Sequence, residues 1–145
     1  MISRSKNGFT LVEILAVLFI IALIAGITIP VMHSMYSKSK TAKAKSDIAR
    51  LTAAADLYNA EWGTYPASSN ANLVIALESE SPFTKKPYLS FKTKDIENNK
   101  VVDAWGKPYI YVLIIDPDNE TETISIESSG PNATAGDSDD ITSAQ

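Results

Sequence analysis

From Ile14 to Met32 the chain has no charged side chain over 19 consecutive residues, nearly all of them apolar. At a helical rise of about 1.5 Å per residue, such a run covers roughly 28 Å, close to the hydrocarbon thickness of a bilayer. The sequence after it is polar, and a helical pattern continues to about residue 61. A helix from about 10 to 61 would reach roughly 75 Å, too long for a compact domain of this size. Its first half must therefore sit in lipid or against other chains. A secretory signal peptide removed after its apolar core is the competing reading. The run is long for such a core, and no small-x-small site ends it, since Pro30 and Val31 stand there. Basic helical sequence also continues directly past it.

The residues before the run are informative. Arg4 and Lys6 make residues 1–8 positive, which favours a cytoplasmic position. Glu13 is a carboxylate at the edge of an apolar run, where an unpaired charge is expensive and ionisable residues are functional candidates. A cut after Gly8 would create an α-amino group at Phe9. That cation, one helical turn away or on a neighbouring chain, could neutralise Glu13. Pro30 removes one helical hydrogen bond and predicts a bend, with Gly26 and Thr28 nearby.

The stretch Lys6-Asn7-Gly8-Phe9-Thr10-Leu11-Val12-Glu13 resembles the prepilin cleavage and methylation motif of type IV pilins and type II secretion pseudopilins. The resemblance implies cleavage between Gly8 and Phe9 by a prepilin peptidase and N-methylation of Phe9 by an N-methyltransferase. It also implies pairing of Glu13 with the Phe9 amine of an adjacent subunit during assembly. Three segments follow: a cleaved leader, 1–8; a transmembrane and polymerisation helix, 9–32; and a soluble pilin-like domain, 33–145.

In the soluble part, Ala44, Ile48, Leu51, Ala55 and Tyr58 recur at spacings of three and four, one apolar helical stripe. Trp62-Gly63 and Pro66 predict its end. Asn72 is a candidate cap for a short helix over 73–79. Residues 80–100 read as irregular, with a short extended piece at Tyr88–Phe91. Asp103–Pro108 reads as a turn, Pro108–Ile115 as a strand, Asp116–Asn119 as a hairpin loop and Thr121–Ile126 as the antiparallel partner. Ser128–Asp140 reads as a loop with clustered acids. The expected class is α+β, a long N-terminal helix packed on a small antiparallel C-terminal sheet. Trp105, Tyr109 and Tyr111 are expected to pack in the core and turn.

Tyr65-Pro66 after the long helix, followed by Asp103-Ala104-Trp105-Gly106-Lys107-Pro108-Tyr109-Ile110-Tyr111, is similar to the major pseudopilin family of type II secretion systems. That family usually has proline where Ala104 stands. Ser128-Ser129-Gly130-Pro131-Asn132-Ala133 resembles its loop, which usually has aspartate at the Asn132 position and glycine at the Ala133 position. Asp139-Asp140-Ile141 matches its later acidic pair. The family's loop binds calcium. The resemblance therefore implies side-chain oxygens from Asn132, Asp139 and Asp140 and backbone carbonyls from Ser129 and Thr134. Such hard oxygen donors suit Ca²⁺. The spacing alone is a weak signal, since such an acidic run near a C-terminus is more often a solvated tail.

Charge and composition exclude other classes. The chain holds 13 basic and 17 acidic side chains, and no Lys or Arg follows Lys107. A nucleic-acid partner would demand a basic face, so it is not expected as the main ligand. There is no cysteine for a disulfide or thiol chemistry, and His33 is the only histidine. No phosphate-binding glycine motif appears, and no enzyme activity is expected. The resemblance implies a homo-oligomeric pseudopilus subunit for type II secretion. Single-pass anchoring in the bacterial inner membrane follows, with the C-terminal domain in the periplasm or outside the membrane. The partners would be a secretion or pilus assembly platform and minor pseudopilins. A type IV pilin of a surface filament and a membrane-anchored enzyme or binding protein are the alternatives.

Overall fold

The computed structural model describes residues 9–119 and 121–143, with the side chains at 27–31 and 33 outside the description. Gly8 and the rest of the leader lie outside the described residues, as do the side chains of Pro30 and His33. The elements are α1 (Leu11–Trp62), α2 (Asn70–Glu78), a 3-10 turn (Thr93–Asp95), β1 (Ile96–Glu97), β2 (Lys100–Val101), β3 (Ile110–Asp116), β4 (Thr121–Ser128) and β5 (Ile141–Thr142). The chain is therefore α+β, as expected. It divides into two compact units after Lys38, within α1.

In the first unit, α1 is helical from Leu11 and passes position 30 without a break. Every large apolar side chain described from Phe9 to Ile24 is at least 49% exposed. A helix apolar on all sides has no single core-facing stripe, and such helices are buried by other chains or by lipid. Among the described residues no helix is long and apolar enough to cross a membrane. The segment expected to do so, 9–32, extends into positions 27–31, whose side chains are not among them.

In the second unit, α1 changes character. Ala44, Ile48, Leu51, Ala54 and Ala55 are buried, and Tyr58 packs beside them. The stripe read from the sequence is thus the buried face. Its alanines combine high helix propensity with little side-chain bulk. The helix stops where glycine permits the left-handed turn: Gly63 has φ 76° and its N–H donates to the Asn59 carbonyl at 2.8 Å. The same core takes Leu73, Val74 and Leu77 from α2, Val101 from β2, Tyr109 before β3, Tyr111 from β3, Ile126 from β4 and Ile141 from β5. Trp105 packs against this core.

β3 and β4 form an antiparallel hairpin from Ile110↔Glu127 to Asp116↔Thr121. β4 also pairs antiparallel with β5, giving the order β3-β4-β5. Three local expectations need correction. The short helix begins at Asn70, and its cap is Ser69, whose hydroxyl accepts the Asn72 N–H. Asn70 itself is drawn inward, so the helix starts earlier than its apolar pattern suggests. Residues 80–100 are more ordered than expected. Asn98 and Asn99, at φ 50° and 61°, make a two-residue turn between β1 and β2. Asparagine tolerates this backbone, which hairpin turns of this kind require. Finally, Tyr88–Phe91 forms no named strand; Leu89 instead ties back to α2 by donating to the Leu77 carbonyl.

Candidate functional site

The first site is the start of α1. Thr10 precedes the helix, and Glu13 is the third residue within it. The Thr10 N–H and hydroxyl both donate to Glu13 Oε2 at 2.8 Å, while the Glu13 N–H donates to Thr10 Oγ1 at 3.2 Å. This is a capping box, in which two otherwise orphaned backbone donors are satisfied reciprocally. Glu13 therefore has a local partner within the single chain. Sequence reasoning missed this role, although threonine followed three residues later by glutamate is its signature. The arrangement keeps the carboxylate at the helix start, close to Phe9.

The second site is the loop between β4 and β5. Ser128 ends β4, with its hydroxyl donating to Asp103 Oδ2 at 2.6 Å and accepting the Gly130 N–H at 3.3 Å. Asp103 Oδ1 in turn accepts the N–H groups of Trp105 and Lys107 at 2.9 Å. The Trp-Gly-Lys-Pro turn and the entrance to the loop are thereby fixed to one buried carboxylate. Gly130 has φ 63°, and a Cβ there would lie 2.6 Å from the Asp139 carbonyl oxygen. Only glycine permits this close return of the loop.

Asn132, Asp137, Asp139 and Asp140 converge. Asn132 Nδ2 donates to Asp137 Oδ2 at 2.7 Å and to Asp139 Oδ1 at 2.9 Å. Its Oδ1 accepts the Thr134 N–H at 2.7 Å. Asp140 Oδ2 accepts the N–H groups of Gly136 and Asp137, while its Oδ1 is buried without a hydrogen-bond partner. One carboxylate oxygen from each of Asp137, Asp139 and Asp140 lies within 4.8 Å of the others. The neighbouring Asp139 carboxyl and the Asn132 amide hold Asp137 below its ordinary pKa, and Asp137 pushes Asp139 above its own. Burial, with Asp140 beside it, pushes Glu127 up.

Asn132, Asp139 and Asp140, singled out in the sequence, thus meet. Asn132 faces the acids with its nitrogen rather than its oxygen. Ser129 is buried beside Gly130, and Thr134 is exposed and joined to Asn132 through its N–H. Asp137 was not singled out; its signal was its place two residues before the acidic pair.

Residues 31–144 match the model of the family "Type II secretion system (T2SS), protein G". This chain belongs to that family. Residues 3–29 match the prokaryotic N-terminal methylation motif. Type II secretion system core protein G of Pseudomonas aeruginosa is 32% identical over 110 residues, covering 75% of each chain. The protein of the same name from Escherichia coli K12 is 30% identical over 139 residues, covering 94% of this chain and 90% of its own. A crystal structure of the major pseudopilin from the type 2 secretion system of enterohaemorrhagic Escherichia coli is similar at a TM-score of 0.47 and 24% identity, covering 74% of this chain and 84% of that one.

Membership of the protein G family decides between the filament types left open by the helix start. The chain is a pilin-like structural subunit of a type II secretion pseudopilus. The family is a structural one and not a known enzyme class.

Proposed function

We propose that the chain is cut between Gly8 and Phe9, methylated on the new Phe9 amine, held by the first half of α1 in the bacterial inner membrane, and drawn from there into a homo-oligomeric filament. The observation that carries this reading is the first unit of α1, whose described large apolar side chains are exposed on every side, with Glu13 the one Asp, Glu, Lys or Arg in the sequence from Phe9 to Ser37. Lipid covers that surface before assembly, and the same helix of neighbouring subunits covers it afterwards. In the filament, Glu13 turns from its cap on Thr10 to the Phe9 amine of an adjacent subunit, which sets axial register. The C-terminal unit then lies in the periplasm. Prepilin peptidase, N-methyltransferase, the assembly platform and minor pseudopilins are the partners this route requires.

The loop between β4 and β5 is read as a calcium site. The donor set fits: three carboxylates converge, and one buried oxygen of Asp140 has no partner. Asp139 and Asp140 would hold the ion with backbone carbonyls of Ser129 and Thr134, and Asn132 completes the set expected from the sequence. A bound Ca²⁺ would neutralise the clustered charge and fasten the loop.

The test is the intact mass of the protein recovered from cells that contain the peptidase and methyltransferase. A chain beginning at methylated Phe9 and retained in carbonate-washed membranes is expected. A retained leader, or cleavage after the apolar run with release from the membrane, overturns the reading.

A further inference from the structure

We propose that Asp137 supplies a carboxylate ligand of the loop's calcium site in place of Asn132, and that Asn132 acts as its positioning residue. This rests on the calcium reading of the same loop and changes which side chains carry it.

Distance is the first argument. Ca²⁺ holds oxygens at about 2.3–2.6 Å, so two ligand atoms on one ion can stand no more than about 5 Å apart. One carboxylate oxygen from each of Asp137, Asp139 and Asp140 lies within 4.8 Å of the other two. The three fit one coordination sphere without rearrangement of the backbone.

Polarity is the second. A ligand must present an acceptor. Asn132 instead presents its amide nitrogen to Asp137 and Asp139, and its oxygen is engaged by the Thr134 N–H. A donor group between two carboxylates orients them and limits their repulsion. The loop also fixes Asp137 directly: its N–H donates to Asp140 Oδ2 at 3.1 Å, and its Oδ1 accepts the Asp139 N–H at 3.2 Å.

The third argument is the missing counter-charge. Asp140 Oδ1 is buried and has no hydrogen-bond partner. No Lys or Arg follows Lys107 in the sequence, and among the described residues the ion pairs of Asp47 and Asp95 lie elsewhere. The group beside Asp140 is a second carboxyl, that of Glu127, and not a cation, so the charge is unanswered within the loop, and a bound divalent ion would answer it. With aspartate absent at position 132, Asp137 restores the third negative charge.

The experiment uses the full chain in detergent micelles, with CaCl₂ as the probe. It records calorimetric calcium affinity and thermal midpoints with calcium or chelator. The wild type is expected to melt higher in calcium, since binding to the native state raises the midpoint. Asp137→Asn is expected to weaken calcium about tenfold or more, and Asn132→Ala less than that. Asp137→Glu, which keeps the carboxylate, is expected to bind more tightly than Asp137→Asn and provides the reading if the latter fails to fold. Unchanged affinity in Asp137→Asn, alongside loss in Asp139→Asn, overturns this inference and leaves the calcium reading standing. Equal affinities of the Asp137→Glu and Asp137→Asn variants overturn it too. Absence of any calcium response in the wild type overturns both.

Discussion

The Ser128 hydroxyl donates a 2.6 Å hydrogen bond to Asp103, joining the end of β4 to the turn that precedes β3. Both residues are buried. Asp103 spends its other oxygen on two backbone N–H groups of its own turn. Ser128→Ala removes the only donor to Asp103 Oδ2 among the described residues, leaving a buried carboxylate oxygen unsatisfied. A loss of about 1–3 kcal/mol is expected by chemical denaturation. Ser128→Thr, which keeps the hydroxyl, should lose less. Equal stability of Ser128→Ala and wild type would mean that the bond contributes nothing net.

Asn70 joins three segments by one side chain. Its Nδ2 donates to the carbonyls of Val101 and Tyr109 at 2.9 and 2.7 Å, and its Oδ1 accepts the Val101 N–H at 2.7 Å. An amide supplies both donors and the acceptor in one plane, which neither aspartate nor leucine can do. Asn70→Ala should cost about 2–4 kcal/mol, since the Val101 N–H and the Tyr109 carbonyl lose their partner and the Val101 carbonyl keeps only the Tyr109 N–H. Asn70→Asp, nearly the same shape, should also destabilise because it replaces two donors with acceptors. Wild-type stability in Asn70→Asp would argue that the site is wet rather than sealed.

Tyr109 and Tyr111 differ in a way that separates burial from bonding. The Tyr111 hydroxyl donates to the Pro66 carbonyl at 2.7 Å, whereas the buried Tyr109 hydroxyl has only Asp47 nearby and no partner within 3.5 Å. Tyr111→Phe should cost about 1 kcal/mol, and Tyr109→Phe should be neutral or slightly stabilising. Burial pushes both phenols up, with nearby Asp47 adding to the effect at Tyr109 and Tyr65 at Tyr111. For a raised folded pKa, the contribution to stability is complete below the unfolded value, about 10 for tyrosine, and is lost as pH rises through the folded value. Stability should therefore fall above about pH 10, and less steeply in Tyr109→Phe. Identical alkaline profiles for wild type and this variant would remove Tyr109 as a cause.

Long-period patterns were legible; two-residue devices were not. The α1 stripe repeats its apolar spacing over several turns, and Tyr109 and Tyr111 alternate with exposed Ile110 at the entry to β3, so Ile48 and Leu51, or Tyr109 and Tyr111, are legible in the sequence. The start of α2 was displaced because Asn70 is polar but buried, and its partners Val101 and Tyr109 are distant in sequence. The β1–β2 hairpin depends on Asn98-Asn99 between strands of only two residues, too short to show alternation. In the acidic loop the pair Asp139 and Asp140 was legible by resemblance. The approach of Asp137 was not, because it depends on turns at Ala133 and Gly136, both with positive φ. The Asn132 amide orientation likewise follows from neighbours rather than from spacing.

Glu13 has two roles that one substitution cannot separate but a pair can. As the third residue of a capping box it bonds Thr10, a function that glutamine performs as well as glutamate. As an assembly residue it must be charged to pair with an amine cation. Glu13→Ala removes both, with about 1 kcal/mol lost at the helix start. Glu13→Gln preserves the cap and removes only the charge. If pairing with the Phe9 amine governs entry into the filament, Gln and Ala variants should both fail to assemble in cells carrying the assembly platform, although only the Ala variant loses helix-start stability. Filament content can be read by electron microscopy of sheared fractions and the helix start by amide exchange at residues 10–14. Normal filaments from Glu13→Gln would assign the requirement to capping, because an ion pair cannot survive loss of the carboxylate whereas the reciprocal hydrogen bonds can.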